Sequence, residues 1–410
     1  MSTFSRRSFL ASAPLAAMAA SGLQKELHAD DAQPQNAKPK ALPWVGFEHG
    51  MGIGGWLTNY KRFNVLPEKW RLNFSIGDYE HFEGYITEAD VENIASMGLD
   101  HIRVGFDQIV FEEYDPEHPE IKPVYRERIF RVMDQFIGWC EKHKINLVLN
   151  LHKAVGNYCD ITEKVQLLDD AGLQDRFVAL WIEFEKRYGN KPGLAFELLN
   201  EVRNVDPKKW NDLAERTLKA IRELNPTRPV VIGSTCWNSP GTLAQLRVHD
   251  DPNVIYTFHQ YGPFEFTHQR GVLQSGPLYY NRNMAWPSDI EPYRDFQRFV
   301  NGAKNPYPGM ERMDKRFLYG CLGGAIDFVK KHPDKLLWCG EFGTIRHCKI
   351  EYRENWMADM ISILKEYGIS YSVWNYLSTP NDGNRFSLVD DDTRKILSER
   401  MLKIIQGKES

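Results

Sequence analysis

Eight short apolar runs, most of them followed by a stretch of helical periodicity, set the strongest limit on what this chain can become. The runs are Phe47–Gly55, Asp100–Gly105, Asn146–His152, Leu194–Glu201, Pro229–Gly233, Val254–His259, Leu336–Gly343 and Tyr371–Tyr376. Amphipathic segments lie between them at Thr87–Gly98, Tyr125–His143, Leu173–Tyr188, Pro207–Leu224, Asp314–Lys331, Tyr352–Tyr367 and Thr393–Ile405. A strand covered on both faces reads as almost continuously hydrophobic, so this alternation is the pattern of parallel βαβ units. Eight such repeats without a break in composition predict a closed (β/α)8 barrel, the TIM-barrel class of α/β folds, over residues 43–410. An open doubly wound sheet is the runner-up. Residues 262–313 do not fit the repeat. Rich in Tyr, Pro, Trp and Gly and poor in periodicity, they predict a long loop after the sixth strand, lying over the barrel mouth.

At 410 residues the chain has room for two average domains or one large barrel. Its formal charge of −4 is spread with both signs interspersed, which leaves no basic stripe for nucleic acid and no polybasic membrane anchor. The N-terminus carries Ser5-Arg6-Arg7-Ser8-Phe9-Leu10, an Ala-rich apolar stretch and then Ala17-Met18-Ala19, which resembles a twin-arginine export signal. That signal predicts a cleaved leader over 1–29, a polar linker over 30–42, and a periplasmic or extracellular protein free of the membrane once cleaved; a monomer is expected. The cysteines Cys140, Cys159, Cys236, Cys321, Cys339 and Cys348 show no Cys-x-x-Cys pair and no zinc spacing with histidine. An exported chain with an even count permits disulfides, but Cys140, Cys236 and Cys339 sit in apolar or helix-like segments where a buried thiol is the commoner state.

One familiar spacing is declined. Gly50-Met51-Gly52-Ile53-Gly54-Gly55 satisfies the dinucleotide fingerprint, yet Trp56-Leu57-Thr58-Asn59-Tyr60 follows without the helix that would lay its dipole on a pyrophosphate. The glycines read instead as the tight end of the first strand. With no Walker loop, no Gly-x-Ser-x-Gly, no His-Glu-x-x-His and no calcium loop, neither a cofactor nor a metal is expected.

Polar residues gather at the C-terminal ends of the runs: Arg103, His152, Asn200 with Glu201, His259 with Tyr261, Glu341 and Trp374. In a parallel barrel these ends converge on one mouth. Each residue alone has an ordinary explanation, as an ion pair, a satisfied core histidine or packing. Together, two glutamates with an arginine, two histidines and a tyrosine suit glycoside hydrolysis, in which one carboxylic acid protonates the leaving oxygen and one carboxylate attacks the anomeric carbon. Arg103 and the Tyr261 hydroxyl near Glu341 would keep it ionised, and Glu201, beside that charge, would hold its proton longer. Trp374 would floor the sugar, and Asn200 could hydrogen-bond its 2-hydroxyl.

The segments Gly54-Gly55-Trp56-Leu57, His101-Ile102-Arg103-Val104, Leu151-His152, Phe196-Glu197-Leu198-Leu199-Asn200-Glu201, Phe258-His259-Gln260-Tyr261, Gly340-Glu341-Phe342-Gly343 and Trp374 resemble glycoside hydrolase family 5, a retaining (β/α)8 group that includes cellulases and mannanases. The resemblance spans Trp44 to Ile405. It implies Glu201 as acid/base, Glu341 as nucleophile, and Arg103, His152, Asn200, His259, Tyr261 and Trp374 as the supporting set. The stretch His259–Gln269 is similar to bacterial endoglucanase branches, which implies an oligo- or polysaccharide substrate, β-1,4-glucan first. The chain departs from the family in Val202, where a proline is frequent, and in Asn150, where many members carry aspartate. A β-mannanase, an exo-acting β-glucosidase or a β-1,3-glucanase are the neighbouring enzyme readings. A carbohydrate-binding barrel without catalysis is the reading from another class, and the retention of both glutamates with Arg103 and Tyr261 speaks against it.

Overall fold

A computed structural model describes residues 44–58, 79–113, 115, 122–157, 165–378 and 383–409. The predicted leader and linker, and Cys159, lie outside the described residues. Eight strands close into one barrel: β1 His49–Leu57, β2 His101–Asp107, β3 Asn146–Lys153, β4 Leu194–Glu197, β5 Val230–Gly233, β6 Val254–Gln260, β7 Leu336–Phe342 and β8 Ser370–Val373. Every strand pairs in parallel with its neighbours in sequence, and β1 pairs with β8 to complete the ring. The doubly wound alternative is thereby set aside.

Several helices begin where a side chain can satisfy a free backbone N–H group of the first turn. Helix α1, Glu88–Ser96, opens on a capping box in which the Thr87 backbone N–H donates to Asp90 Oδ2 at 2.9 Å. After α2, Glu127–Lys142, helix α3, Ala171–Tyr188, is capped by Asp170 Oδ1 accepting from the Leu173 N–H at 3.0 Å. In α4, Pro207–Leu224, Asp206 caps and Pro207 takes the first position, where its missing N–H goes unneeded.

Residues 262–313 correct the expectation of a long loop without periodicity. They carry short helices at Phe264–Thr267 and Ser275–Tyr280, an eleven-residue helix α5 at Glu291–Asn301, and both strands of an antiparallel pair, Ser288–Asp289 and Arg312–Met313. Helix α5 buries only Tyr293 and Phe296, too narrow a stripe to stand out in the sequence. The excursion is packed: Trp286 Nε1 donates to Asp359 Oδ2 at 2.9 Å, and the buried Glu265 accepts from Gln297 at 3.2 Å and from the Tyr307 hydroxyl. The expected helix over Asp314–Lys331 is two, α6 Lys315–Cys321 and α7 Gly323–Lys331. After α8, Ile350–Glu366, the last helix α9 spans only Glu399–Ile405, because Ser398 caps it by accepting from the Met401 N–H.

Two ends of the barrel differ in character. Near the strand starts, Val148, Ala195, Val231, Ile255 and Trp338 form an apolar plug, closed from below by Trp44 and Phe47. Trp44 stacks on Phe47 at 4.1 Å between centroids and meets Trp338 edge-on at 5.6 Å. The strand ends opposite carry the polar residues. This asymmetry is what lets one mouth hold charge while the rest of the barrel supplies stability.

Candidate active site

Arg103, on β2, is completely buried and organises the mouth. Its Nε donates to Glu197 Oε2 at 2.7 Å and its Nη2 to Glu197 Oε1 at 2.9 Å, a two-pronged pair on β4. The same Nη2 donates to Asn200 Oδ1 at 2.8 Å, while Nη1 donates to Glu341 Oε1 at 2.5 Å. Burial alone would discharge the guanidinium, but the carboxylates of Glu197 and Glu341 outweigh it and hold Arg103 above its ordinary value.

Strand β4 ends at Glu197, four residues sooner than the apolar run suggests. The chain then bends until Glu201 stands in the left-handed region at φ 43°, a conformation that costs an ordinary residue about 1–2 kcal/mol and aims its side chain over the mouth. Its Oε1 lies 3.0 Å from His259 Nδ1, and the same nitrogen lies 3.6 Å from Glu341 Oε2. The Tyr261 hydroxyl donates to Glu341 Oε2 at 2.9 Å. His259 and Glu341 are register partners on β6 and β7, with an irregularity between Cys339 and Glu341 that re-aims the carboxylate.

The two glutamates are driven apart in proton affinity. Burial pushes the Glu201 carboxyl up, and the Glu341 charge adds to this while the His259 contact opposes it. Burial also acts on Glu341, but the His259 ring, the Arg103 guanidinium and the Tyr261 hydrogen bond overcome it, leaving this carboxyl well below the ordinary carboxylate range. The Tyr261 phenol, buried beside that charge, is held well above its usual value and stays a donor. The two carboxyls are thus shifted in opposite directions, with one oxygen of each and one His259 nitrogen all within 4.8 Å of one another. That spacing would also suit a metal ion, but Glu341 already accepts from Arg103 and Tyr261, and a dication there would face the guanidinium directly.

His152, at the end of β3, has its Nδ1 2.9 Å from Asn150 Oδ1, so the asparagine that departs from the family pattern orients the ring. Trp374 lies parallel to that ring, at 5.8 Å and 9°. The declined glycine motif finds its meaning here. Gly52 and Gly54 face the Trp374 indole, and an added Cβ would fall 2.7 Å from it at Gly52 and 2.4 Å from it at Gly54. The eight expected residues, Arg103, His152, Asn200, Glu201, His259, Tyr261, Glu341 and Trp374, therefore meet at one mouth.

Sequence reasoning passed over Glu197 and Asn238. Glu197 carried a readable signal, a charge inside an apolar strand, which burial tolerates only with a partner. Asn238 carried none. It follows β5 in a turn where Cys236, Trp237 and Asn238 all take positive φ, 55°, 58° and 55°. The Trp237 N–H donates to the Val202 carbonyl at 2.8 Å, tying this turn to the residue after Glu201.

Comparison with known proteins is decisive at this point. The sequence profile of the cellulase family (glycosyl hydrolase family 5) matches residues 70–379. The chain belongs to glycoside hydrolase family 5. It is 36% identical over 371 residues to Endoglucanase C of Acetivibrio thermocellus, spanning 89% of this chain and all of that protein. It is 28% identical over 330 residues to Cellodextrinase A of Ruminococcus flavefaciens, spanning 79% of this chain and 84% of that one. In fold it is similar to the crystal structure of endoglucanase Cel5A from Thermotoga maritima, with a TM-score of 0.64, 23% identity, and 88% and 97% of the two chains covered. This glycoside hydrolase has five free cysteines among the described residues, Cys140, Cys236, Cys321, Cys339 and Cys348.

The glycine observation gives a test in this family 5 hydrolase. Gly54→Ala is expected to tilt Trp374 and lower kcat/KM about 100-fold, because a misplacement near 1 Å at a reacting centre has that effect. Tm should move far less. Unchanged kinetics would show that the indole does not depend on this gap.

Proposed function

We propose that the protein is an endo-acting β-1,4-glucanase that retains anomeric configuration, with Glu341 as nucleophile and Glu201 as acid/base. The observation that carries this is the pair itself: two carboxyl groups with opposed proton affinities, one oxygen of each within 4.8 Å of the other. Retaining enzymes hold their carboxyl groups about 5–5.5 Å apart, whereas inverting ones leave room for a water between them. Glu341 attacks the anomeric carbon as Glu201 passes its proton to the glycosidic oxygen. The bond to the leaving sugar breaks and a glycosyl ester to Glu341 forms. Glu201, now a carboxylate, takes a proton from water, which attacks the ester and frees Glu341. Trp374 floors the reacting sugar and Asn200, aligned by Arg103, bonds its 2-hydroxyl. The substrate class rests on the likeness to endoglucanases across 89% of the chain. Export by the Arg6-Arg7 signal fits the reading, since a polymeric glucan does not enter cells.

Product sizing tests the substrate. On carboxymethyl-cellulose and cellohexaose a ladder of oligomers is expected, with far lower rates on mannan and xyloglucan; monomer as the sole product would make the enzyme exo-acting.

The pH profile tests the roles. Activity needs Glu341 ionised and Glu201 protonated, so kcat/KM should be bell-shaped. As Glu341 sits below the ordinary carboxylate value, the acid limb should fall at low pH. As Glu201 sits above it, the basic limb should come later than a free carboxyl would give. Glu201→Gln should erase the basic limb on 2,4-dinitrophenyl β-cellobioside, whose leaving group needs no proton. A basic limb that stays in place would assign the acid to another group.

A further inference from the structure

We propose that Asn238 is a positioning residue whose side-chain amide fixes the tautomer of His259, so that one N–H points at the gap between the two catalytic glutamates. His259 Nδ1 faces Glu201 Oε1 at 3.0 Å and Glu341 Oε2 at 3.6 Å, and two acceptors there call for a donor. On the far side of the ring, His259 Nε2 lies 3.2 Å from Asn238 Nδ2. An amide N–H can only donate, so Nε2 is the acceptor and Nδ1 carries the hydrogen. In water the neutral imidazole is free to place that hydrogen on either nitrogen; here the protein chooses.

The surroundings are shaped for this contact. Asn238 is fully buried, and it stands at φ 55°, a left-handed position that asparagine adopts more readily than most residues. Gly233 opens the space its amide fills, for a Cβ there would lie 2.5 Å from Asn238 Oδ1. Gly340 does the same for His259, with an added Cβ falling 3.2 Å from Nε2. Two glycines and a left-handed turn thus converge on one hydrogen bond.

The consequence is electrical. With Nε2 occupied as an acceptor, the ring serves the Glu341 carboxylate and the carbonyl oxygen of the Glu201 acid as a neutral donor and adds no full positive charge next to Glu201. Glu201 can then keep the proton it must deliver. Reversing the amide would set its oxygen against Nε2 and make the ring a donor at both nitrogens, a cation 3.0 Å from the acid. The orientation of one amide therefore governs the protonation of the general acid.

The inference rests on Glu201 being that acid, and the experiment separates the two. In protein labelled with ¹⁵N-histidine, with the His259 signals assigned by their loss in His259→Gln, the ring should read as the neutral Nδ1–H tautomer at the pH of highest activity. An Nε2–H tautomer or an imidazolium would overturn the proposal. Asn238→Asp, of the same shape, puts an acceptor against Nε2. Its basic limb for cellotetraose should move down by about one pH unit, a tenfold effect. Its loss on cellotetraose should exceed its loss on 2,4-dinitrophenyl β-cellobioside by about the same factor. A limb that stays where it was, or equal losses on both substrates, would reduce Asn238 to packing. Glu201→Ala that still cleaves cellotetraose at the parent rate would refute the acid assignment instead, while the tautomer reading stands or falls on the nitrogen shifts alone.

Discussion

Glu341→Gln is expected to lower turnover of cellotetraose by at least about 10⁴-fold, roughly 5.5 kcal/mol of transition-state stabilisation. The substitution keeps the shape of the side chain and one of the two oxygens, which can still accept from Arg103, while the amide nitrogen that replaces Oε2 gives up the bond from the Tyr261 hydroxyl, itself free to turn and accept instead. It removes only the charge and the nucleophilic oxygen. Arg103 retains its two-pronged partner Glu197, so no buried cation is left alone and folding should be intact. Circular dichroism, Tm and calorimetric binding of cellotetraose should all resemble the parent, with kcat carrying the whole effect. Turnover within tenfold of the parent, in a protein that binds equally well, would remove Glu341 from the nucleophile's place. The size of the loss also distinguishes this enzyme from a barrel that merely binds glycans, for which the substitution would change little.

Much of this site was legible because a parallel barrel converts sequence position into place. Once eight runs are assigned to strands, every residue at a C-terminal end belongs to the same mouth, and Arg103 and Glu341 become hydrogen-bonded neighbours across 238 positions. What the sequence could not convey was where each strand stops. The run Leu194–Glu201 is apolar to its last residues, yet pairing ends at Glu197, since the chain must turn into the left-handed region to lift Glu201 over the opening. Hydrophobicity records burial and is silent about pleat. Asn238 was invisible for a similar reason: its value lies in three successive left-handed residues and in Gly233 opposite, none of which leaves a periodic trace.

The fold shows the same division. Pro207–Leu224 was readable to the residue because Asp206 and Pro207 mark its start chemically. The excursion after β6 was not, since α5 rests on the molecule through two side chains and is otherwise polar. Its attachment is made by contacts that sequence does not order: the Ile345 N–H donates to the Thr267 carbonyl at 2.9 Å, and Asn384 Oδ1 accepts from the Val272 and Leu273 N–H groups. Loops after β6, β7 and β8 are joined in this way above the mouth. The glycines of β1 show the opposite error, a motif whose spacing is suggestive and whose actual service is to leave room for an indole.

Arg103→Leu is the second large effect expected, on stability as well as rate. It would leave Glu197 and Glu341 buried without their shared counter-charge, and removing one member of a buried ion pair costs about 3–5 kcal/mol. For a chain of this size a loss of that order lowers Tm by about 5 °C. Arg103→Lys restores the charge but not the geometry: an ammonium cannot span two oxygens of Glu197, Asn200 and Glu341 at once, so stability should return further than activity. Glu197→Gln then asks what the inner carboxylate does. One guanidinium divided between two carboxylates leaves a net negative charge beneath Glu201, which favours its protonated form. Neutralising Glu197 gives Arg103 wholly to Glu341 and cancels that charge, so the basic limb of kcat/KM should move to lower pH. A limb unmoved in Glu197→Gln, with Tm reduced, would confine Glu197 to holding Arg103 in place. A downward shift would make it part of the circuit that decides which glutamate keeps the proton.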